Sequence, residues 1–242
     1  MLLRGRGWVV LVAALLVTAL TARLGLWQLD RAGQKNRAQQ TLNERRALPP
    51  VTASELAMRL ETAAAQYGRT IKLEGLWQPA WTVYLENRQM DARVGFYAVT
   101  PLLLDDGTAV LVQRGWLPRD QADRTRIVVG PAPAGRVTVQ GLIAPGPGRV
   151  YDFAGAASGA IRQNLNIEVF ARETALALRP VSVVEEDGPA AARDGLLRRW
   201  AAPAADVQKH YGYAFQWFAL STLTIALYVW FQIIQPLRRR SG

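Results

Sequence analysis

The sequence predicts a membrane protein in which two terminal transmembrane helices flank an extracytoplasmic α+β domain, built mainly from antiparallel β-strands. Three observations predict this fold class. Residues 211–237 form a run of 27 uncharged residues, residues 8–29 form a second apolar stretch, and six or seven short strand-like segments lie between them. These segments follow one another closely in sequence, which favours an antiparallel sheet or a small barrel over a parallel nucleotide-binding fold.

The C-terminal apolar run is long enough to cross the hydrocarbon core of a bilayer as a helix. Hydrocarbon accepts backbone amides only when they bond within the segment, so the run predicts a transmembrane helix over residues 211–234. A basic tail follows over residues 235–242, and it contains Arg238, Arg239 and Arg240.

Residues 8–29 carry the first predicted transmembrane helix. This segment has 22 residues, which would span about 33 Å against a hydrocarbon core of about 30 Å. Arg23 lies close enough to the end of the segment for its side chain to reach the headgroups, and Trp27 suits the interface. The alternative interpretation is a cleaved signal peptide whose basic start is Arg4 and Arg6. Both interpretations export the residues that follow.

The positive charge of the chain is concentrated beside the two apolar segments. Residues 1–46 and the tail together account for +9 of the formal net charge of +10. A nucleic-acid-binding protein would carry its basic excess on the folded domain, so we exclude nucleic acid as a partner and expect contacts with membrane lipid. The basic tail predicts that both termini are cytoplasmic and the central domain is periplasmic, and the composition favours a bacterial inner membrane.

Between the two spans, we predict a basic juxtamembrane helix over residues 30–48 and a folded domain over residues 49–205. The spacing of Thr52 and Glu55 is typical of a capping box and predicts a helix that extends to about Gln66. The chain has no cysteine, so the domain must fold without disulfides. The predicted strands cover residues 69–76, 81–85, 94–104, 109–117, 136–143, 161–165 and 181–185, and a further helix covers residues 167–176.

Sequence motifs of enzymatic catalysis are missing from this domain. It has no glycine-rich phosphate loop and no Gly-x-Ser-x-Gly elbow, and a serine triad would need a histidine. The one histidine of the chain, His210, lies at the start of the second apolar segment. We therefore predict that the protein is not an enzyme. In strand 109–117, Arg114, Gly115 and Trp116 form either an edge bulge with a packed tryptophan or a surface that contacts a partner.

Four segments resemble the SURF1 family, in order along nearly the whole chain. They are residues 24–31 (LGLWQLDR), 95–102 (GFYAVTPL), 112–118 (VQRGWLP) and 210–218 (HYGYAFQWF). Proteins of this family assist the assembly of cytochrome c oxidase. The resemblance therefore implies a non-enzymatic assembly factor that binds heme a transiently and promotes its insertion into oxidase subunit I.

The resemblance also implies particular partners and a particular ligand. Oxidase subunit I and heme a synthase are the expected partners, and His210 is the expected ligand of the heme iron. The family often has an asparagine shortly before this histidine, where the present chain has Gln208 and Lys209. No role of that asparagine is transferred, and residues 149–159 match no feature of the family.

His210 is the residue around which we expect the heme site. Imidazole is a common axial ligand of heme iron. Helical spacing places Tyr213, Ala214 and Trp217 near His210, so that a small residue between two aromatic ones would let a flat porphyrin approach. Spacing alone is equally typical of an interfacial aromatic belt, and the family resemblance favours the heme site.

Two other functional hypotheses keep the same membrane layout. The first is a membrane-anchored scaffold that binds an oxidase subunit without a cofactor, through Arg114, Gly115 and Trp116 together with residues 84–88. The second is a membrane-bound enzyme that acts on heme or lipid, but no acid or base constellation accompanies His210 in the sequence. An absorption spectrum distinguishes these hypotheses, because only heme binding demands a Soret band.

Overall fold

A computed structural model of the chain describes residues 6–120, 122–123, 126–130, 132–148, 159–188 and 194–239. The chain divides into two units. The helical unit consists of the residues up to Thr41 and those from Ala202 onward, and the sheet unit runs from Leu42 to Ala201. Nearly all of the segment 149–159 lies outside the described residues, and so do residues 240–242 of the predicted tail.

Long helices lie towards both ends of the chain, and the strands lie between them. The helices are α1 (Arg6–Arg46), α2 (Leu60–Ala63), α3 (Ile167–Thr174), α4 (Val207–Val229) and α5 (Gln235–Arg238). The strands are β1 (Thr70–Trp77), β2 (Val83–Met90), β3 (Arg93–Leu103), β4 (Ala109–Pro118), β5 (Arg136–Ala144), β6 (Ile161–Arg162) and β7 (Leu178–Glu185).

Two helical segments are long and apolar enough to cross a membrane. They are Gly7–Arg46 and Val207–Arg238. Large apolar side chains on both segments are exposed, including Leu16, Leu20 and Phe215. Hydrocarbon accommodates such a surface and water does not. The structure thus confirms the predicted pair of terminal apolar helices.

The second apolar segment changes its helical geometry near its end. A π-helix, Trp230–Ile234, separates α4 from α5, and the backbone N–H of Gln235 donates to the carbonyl of Trp230. Pro236 supplies the physical reason, because it has no N–H and its ring crowds the carbonyl one turn earlier. The apolar segment therefore continues past the end of α4 as one modified helix.

The sheet unit forms a small, mainly antiparallel barrel. Its seven described strands pair in the order β1-β5-β7-β4-β3-β2-β6, and β1 also pairs with β3. This last pairing joins Leu76 to Leu103 and Trp77 to Leu102, so five strands close into a ring. The β4–β7 and β2–β6 pairs are parallel, and the other pairs are antiparallel. The predicted fold class of the domain is confirmed.

Helix α3 packs one aromatic side chain into the sheet unit. Asn166 caps its first turn, because the side-chain oxygen accepts from the backbone N–H of Val169 at 3.0 Å. Phe170 is buried in a cluster with Val83, Leu85 and other apolar side chains of the sheet. The predicted helix over residues 167–176 is therefore found, and it ends two residues early.

The predicted helix from Thr52 to Gln66 is wrong in its first half. The carboxylate of Glu55 accepts from the N–H and the hydroxyl of Thr52 at 3.0 and 2.8 Å, but these contacts close a turn. Leu56 and Ala57 turn into the core and are buried. Burial of these two side chains outweighs the local capping signal, and α2 begins only at Leu60.

Candidate functional site

His210 lies in the first turn of α4, where its ring contacts α1. Its Nδ1 is 2.7 Å from the side-chain oxygen of Gln28, and both side chains are partly buried within the helical unit. The contact links residues 182 positions apart in sequence. Local spacing along α4 therefore gives no sign of it.

This contact favours one of the two tautomers of the neutral imidazole ring. A carbonyl oxygen only accepts hydrogen bonds, so Nδ1 of His210 must donate to Gln28. In the neutral ring, Nε2 then keeps its lone pair, which is the chemical requirement for a metal ligand. Among the described residues, none forms a hydrogen bond with Nε2. The ring is thus presented with one nitrogen held and the other free to act as a ligand.

Small residues allow α1 and α4 to pack closely below the His210 ring. A Cβ added at Gly25 would lie 2.8 Å from Cζ of Phe218, closer than side chains approach in real structures. The hydroxyl of Ser221 lies 3.3 Å from the carbonyl oxygen of Thr18 and donates to it. Ala214 is also buried at this interface of the helical unit. Close packing therefore fixes the backbone that carries Gln28 against the backbone that carries His210.

Polar contacts hold the residues around the start of α4 against the C-terminal half of α1. The ammonium of Lys35 donates to the carbonyl of Ala205 at 2.8 Å, and the amide of Asn36 donates to the hydroxyl of Tyr211 at 3.2 Å. The start of α4 is thus tied to α1 on both sides of His210, and the imidazole has a defined position.

The other residues expected around the heme lie in different environments. Tyr213 is 51% exposed and Trp217 is partly buried, whereas Ala214 is 2% exposed. A flat ligand cannot lie against Ala214, because the helix pair already covers it. The structure therefore does not leave Ala214 open to a porphyrin, and Tyr213 is the exposed residue of the expected set. Ligand binding by His210, Tyr213 and Trp217 stays a prediction.

Arg114, Gly115 and Trp116 lie in the interior of the sheet unit. Gly115 pairs with Ala98 and Gln113 with Val99, so Arg114 is the extra residue of a β-bulge. The predicted bulge with a packed tryptophan is confirmed, although β4 is a central strand and not an edge strand. Trp116 is fully buried. The hypothesis that these residues form a contact surface is wrong, because such a surface must be exposed.

Arg114 belongs to a buried cluster of paired charges. Its guanidinium lies 2.6 Å from the carboxylate of Asp194, which also lies 3.1 Å from Arg198. Glu185 joins the cluster 3.3 Å from Arg198, and burial raises the pKa of Glu185 although Arg198 opposes this effect. Two cations thus face two carboxylates. Each of these charges needs its partner, because removal of one would leave an opposite charge buried and uncompensated inside the barrel.

Sequence reasoning missed Gln28 and Gly25, although both lie in the segment 24–31. A glutamine inside an apolar segment is itself a signal, since buried amides need partners. The glycine three residues earlier lies on the same helix face and marks a close approach. Together they predict a packed polar contact, but they do not identify His210 as the partner.

Comparisons with known proteins cover almost the whole chain. The model of the SURF1 family matches residues 15–222, a range that includes Gln28, the sheet unit and His210. A SURF1-like protein of Rickettsia bellii (strain RML369-C) is 24% identical over 210 residues, which are 85% of this chain and 83% of that protein. A SURF1-like protein of Rickettsia felis (strain ATCC VR-1525 / URRWXCal2) is 24% identical over 223 residues, covering 90% and 94%. A SURF1-like protein of Dictyostelium discoideum is 31% identical over 100 residues, covering 38% and 37%.

Proposed function

This chain belongs to the SURF1 family, and we propose that it is a non-enzymatic membrane factor that carries heme a to subunit I of cytochrome c oxidase. Family membership supports a role in oxidase assembly. The heme part of the proposal rests on one observation. The imidazole of His210 is held at Nδ1 by Gln28, which leaves Nε2 as a ligand beside an apolar helix pair.

The residues present fit heme as a cargo that is bound through a single protein ligand. Neutral imidazole is a standard axial ligand of heme iron. The chain has one histidine, which lies in α4, and no cysteine. Its three methionines all lie outside α4. It therefore offers one strong bond to the iron from this helix. A single bond suits a protein that receives heme from heme a synthase and must release it again.

The surroundings of His210 suit a ligand that is partly apolar. Tyr211 and Tyr213 lie next to His210 at the start of α4, and both are exposed. Their rings offer flat surfaces to a porphyrin. The apolar part of α4 lies below them, while Lys209 lies on the side away from the apolar run. These residues would thus hold a ligand that has both an apolar ring and charged groups.

We test the heme proposal with His210→Ala, produced in cells that make heme a and purified through a tag without histidine. We expect the variant to lose the Soret band of the wild-type protein and to lower oxidase activity in the host. The matched control is Gln208→Ala, which changes an exposed residue in the same turn of α4. Equal heme content in His210→Ala and the wild type would contradict the proposal.

The proposed topology places both termini in the cytoplasm and the sheet unit in the periplasm of a bacterial inner membrane. It is supported by the arginines that follow the second apolar segment. Because the chain has no cysteine, single cysteines report position cleanly. An impermeant thiol reagent on cells with a permeable outer membrane should label Lys72→Cys, and should label Ser241→Cys only after lysis. The reverse pattern would contradict this topology.

A further inference from the structure

We infer that Gln28 is the positioning residue of His210, because its amide carbonyl determines which ring nitrogen faces the iron and how strongly that nitrogen donates. The part of this inference that concerns iron rests on the proposed function. The part that concerns the ring itself does not, since it can be measured in protein without heme.

The first step of the argument concerns the choice of tautomer. A neutral imidazole without a hydrogen-bond partner exchanges between two forms, and the form protonated at Nε2 has no lone pair there for a metal. The carbonyl of Gln28, 2.7 Å from Nδ1, stabilises the form protonated at Nδ1. Gln28 thereby keeps the ring in the form that can bind iron through Nε2.

The second step concerns the rigidity of the contact. Gly25 lies one turn before Gln28 on the same face of α1, and it approaches the ring of Phe218 so closely that no Cβ fits. The hydrogen bond from Ser221 to Thr18 ties the two helices further along. The packing of α1 against α4 therefore holds the backbone of Gln28 close to His210. The contact between the two side chains does not depend on mobile surface groups.

The third step concerns the strength of the ligand. Hydrogen-bond partners of a metal-binding histidine increase electron donation from the ligating nitrogen, and a charged acceptor does so more strongly than a neutral one. Gln28 is uncharged, so it orients the ring and adds little to the donation. A carboxylate at this position would also carry a charge at the edge of an apolar segment, which is costly. The neutral amide thus suits a ligand that holds iron only transiently.

Nitrogen-15 NMR of the heme-free protein tests the tautomer directly. With one histidine in the chain, selective labelling gives the signals of a single ring. We expect the neutral wild-type ring to be protonated at Nδ1, and we expect Gln28→Leu to shift it toward protonation at Nε2. The control is Gln34→Leu, which replaces another glutamine of α1, one that donates to Asp30 of the same helix, and should leave the tautomer unchanged. A wild-type ring protonated at Nε2, or a ring that Gln28→Leu does not change, overturns the inference.

Titration of the purified proteins with heme a tests the effect on iron. Gln28→Leu should bind heme about tenfold more weakly than the wild type, whereas Gln34→Leu should bind equally well. Gln28→Glu should bind more tightly and lower the reduction potential of the bound heme, a result that loss of folding cannot produce. If His210→Ala binds heme like the wild type, the proposed function fails, and the tautomer result stands. If His210→Ala loses heme but neither Gln28 variant differs from the wild type, the positioning role is overturned.

Discussion

The sheet unit and the helical unit use their buried polar groups in opposite ways. In the sheet unit, Arg114 and Arg198 lie beside Asp194 and Glu185, so these four buried charges are paired with opposite ones. In the helical unit, His210 uses one ring nitrogen for Gln28 and keeps the other. Paired buried charges stabilise a fold only while both partners are present, whereas a ring with one unbonded nitrogen can accept a ligand. We therefore expect substitutions in the sheet-unit cluster to change stability, and substitutions in the helix pair to change ligand binding.

The largest expected effect is the loss of the buried charge network. Asp194→Ala removes the carboxylate between two buried guanidinium groups, and it should lower the free energy of unfolding by about 3 to 5 kcal/mol. The measurement is chemical unfolding in detergent, followed by tryptophan fluorescence. The control is Arg199→Ala, which removes an exposed partner of Asp91 and should cost less than about 1 kcal/mol. Equal losses in the two variants would show that the cluster does not stabilise the barrel.

The second prediction concerns Gly25, whose substitution should affect the helical unit and not the sheet unit. Gly25→Leu forces α1 away from Phe218 and thereby separates Gln28 from His210, so heme retention should fall about tenfold. Unfolding of the sheet unit should not change. In the control Gly33→Leu, an added Cβ meets only the flexible end of Arg37 at 3.4 Å. Phe218→Ala should restore heme binding to Gly25→Leu. Full heme retention in Gly25→Leu alone would contradict the packing argument.

The third prediction tests whether Trp116 is structural. Its indole N–H donates to the carbonyl of Arg88 at 2.9 Å inside the sheet unit. Trp116→Phe leaves that carbonyl without its partner and should cost about 1 kcal/mol of stability. Co-purification of oxidase subunits at low temperature should be unchanged, because the residue is not at a surface. Loss of the partner without loss of stability would restore the contact hypothesis.

The smallest expected effect is a dependence of stability on pH in the sheet unit. Hydrogen bonds from the side chain and the backbone N–H of Thr108 hold the pKa of Asp106 below its usual value. A lowered pKa contributes stability above the unfolded pKa, and this contribution is lost as the pH falls through the folded pKa. Asp106→Asn should therefore cost less than about 1 kcal/mol at neutral pH, since the side chain is half-exposed. The difference from the wild type should shrink below about pH 4, as followed by thermal unfolding. A difference that persists at lower pH would exclude the carboxylate as its source.

Strand-forming residues and turn residues made most of the sheet predictable from the sequence. Strand β5 and the hairpin of β3 and β4 begin and end within one or two residues of the predicted bounds, because apolar, β-branched and aromatic residues fill these strands and Gly107 supplies a positive φ of 78°. The closure of β1 on β3 was not predictable, since it depends on the curvature of the whole sheet. The helix predicted from Thr52 was wrong for a similar reason, because core contacts of Leu56 and Ala57 outweighed the local capping signal.

The candidate site was predictable only in part. His210 stands out as the single histidine beside an apolar segment, and the sequence identifies it without a structure. Gln28 lies in another helix 182 positions away, and no periodicity connects the two residues. The sequence also did not show which side of α4 is exposed, because burial of Ala214 depends on how the helices pack. Long-range packing determines the parts of the site that the sequence did not reveal.

Resonance Raman spectroscopy of the reduced heme complex tests the central claim most directly. Because the chain has one histidine, nitrogen-15 labelling of histidine marks His210 alone. A bond between the iron and this ring predicts an iron–histidine stretching band that shifts to lower frequency on labelling and disappears in His210→Ala. A heme complex whose spectrum is insensitive to the label would contradict the account, since the iron would then be held by another group.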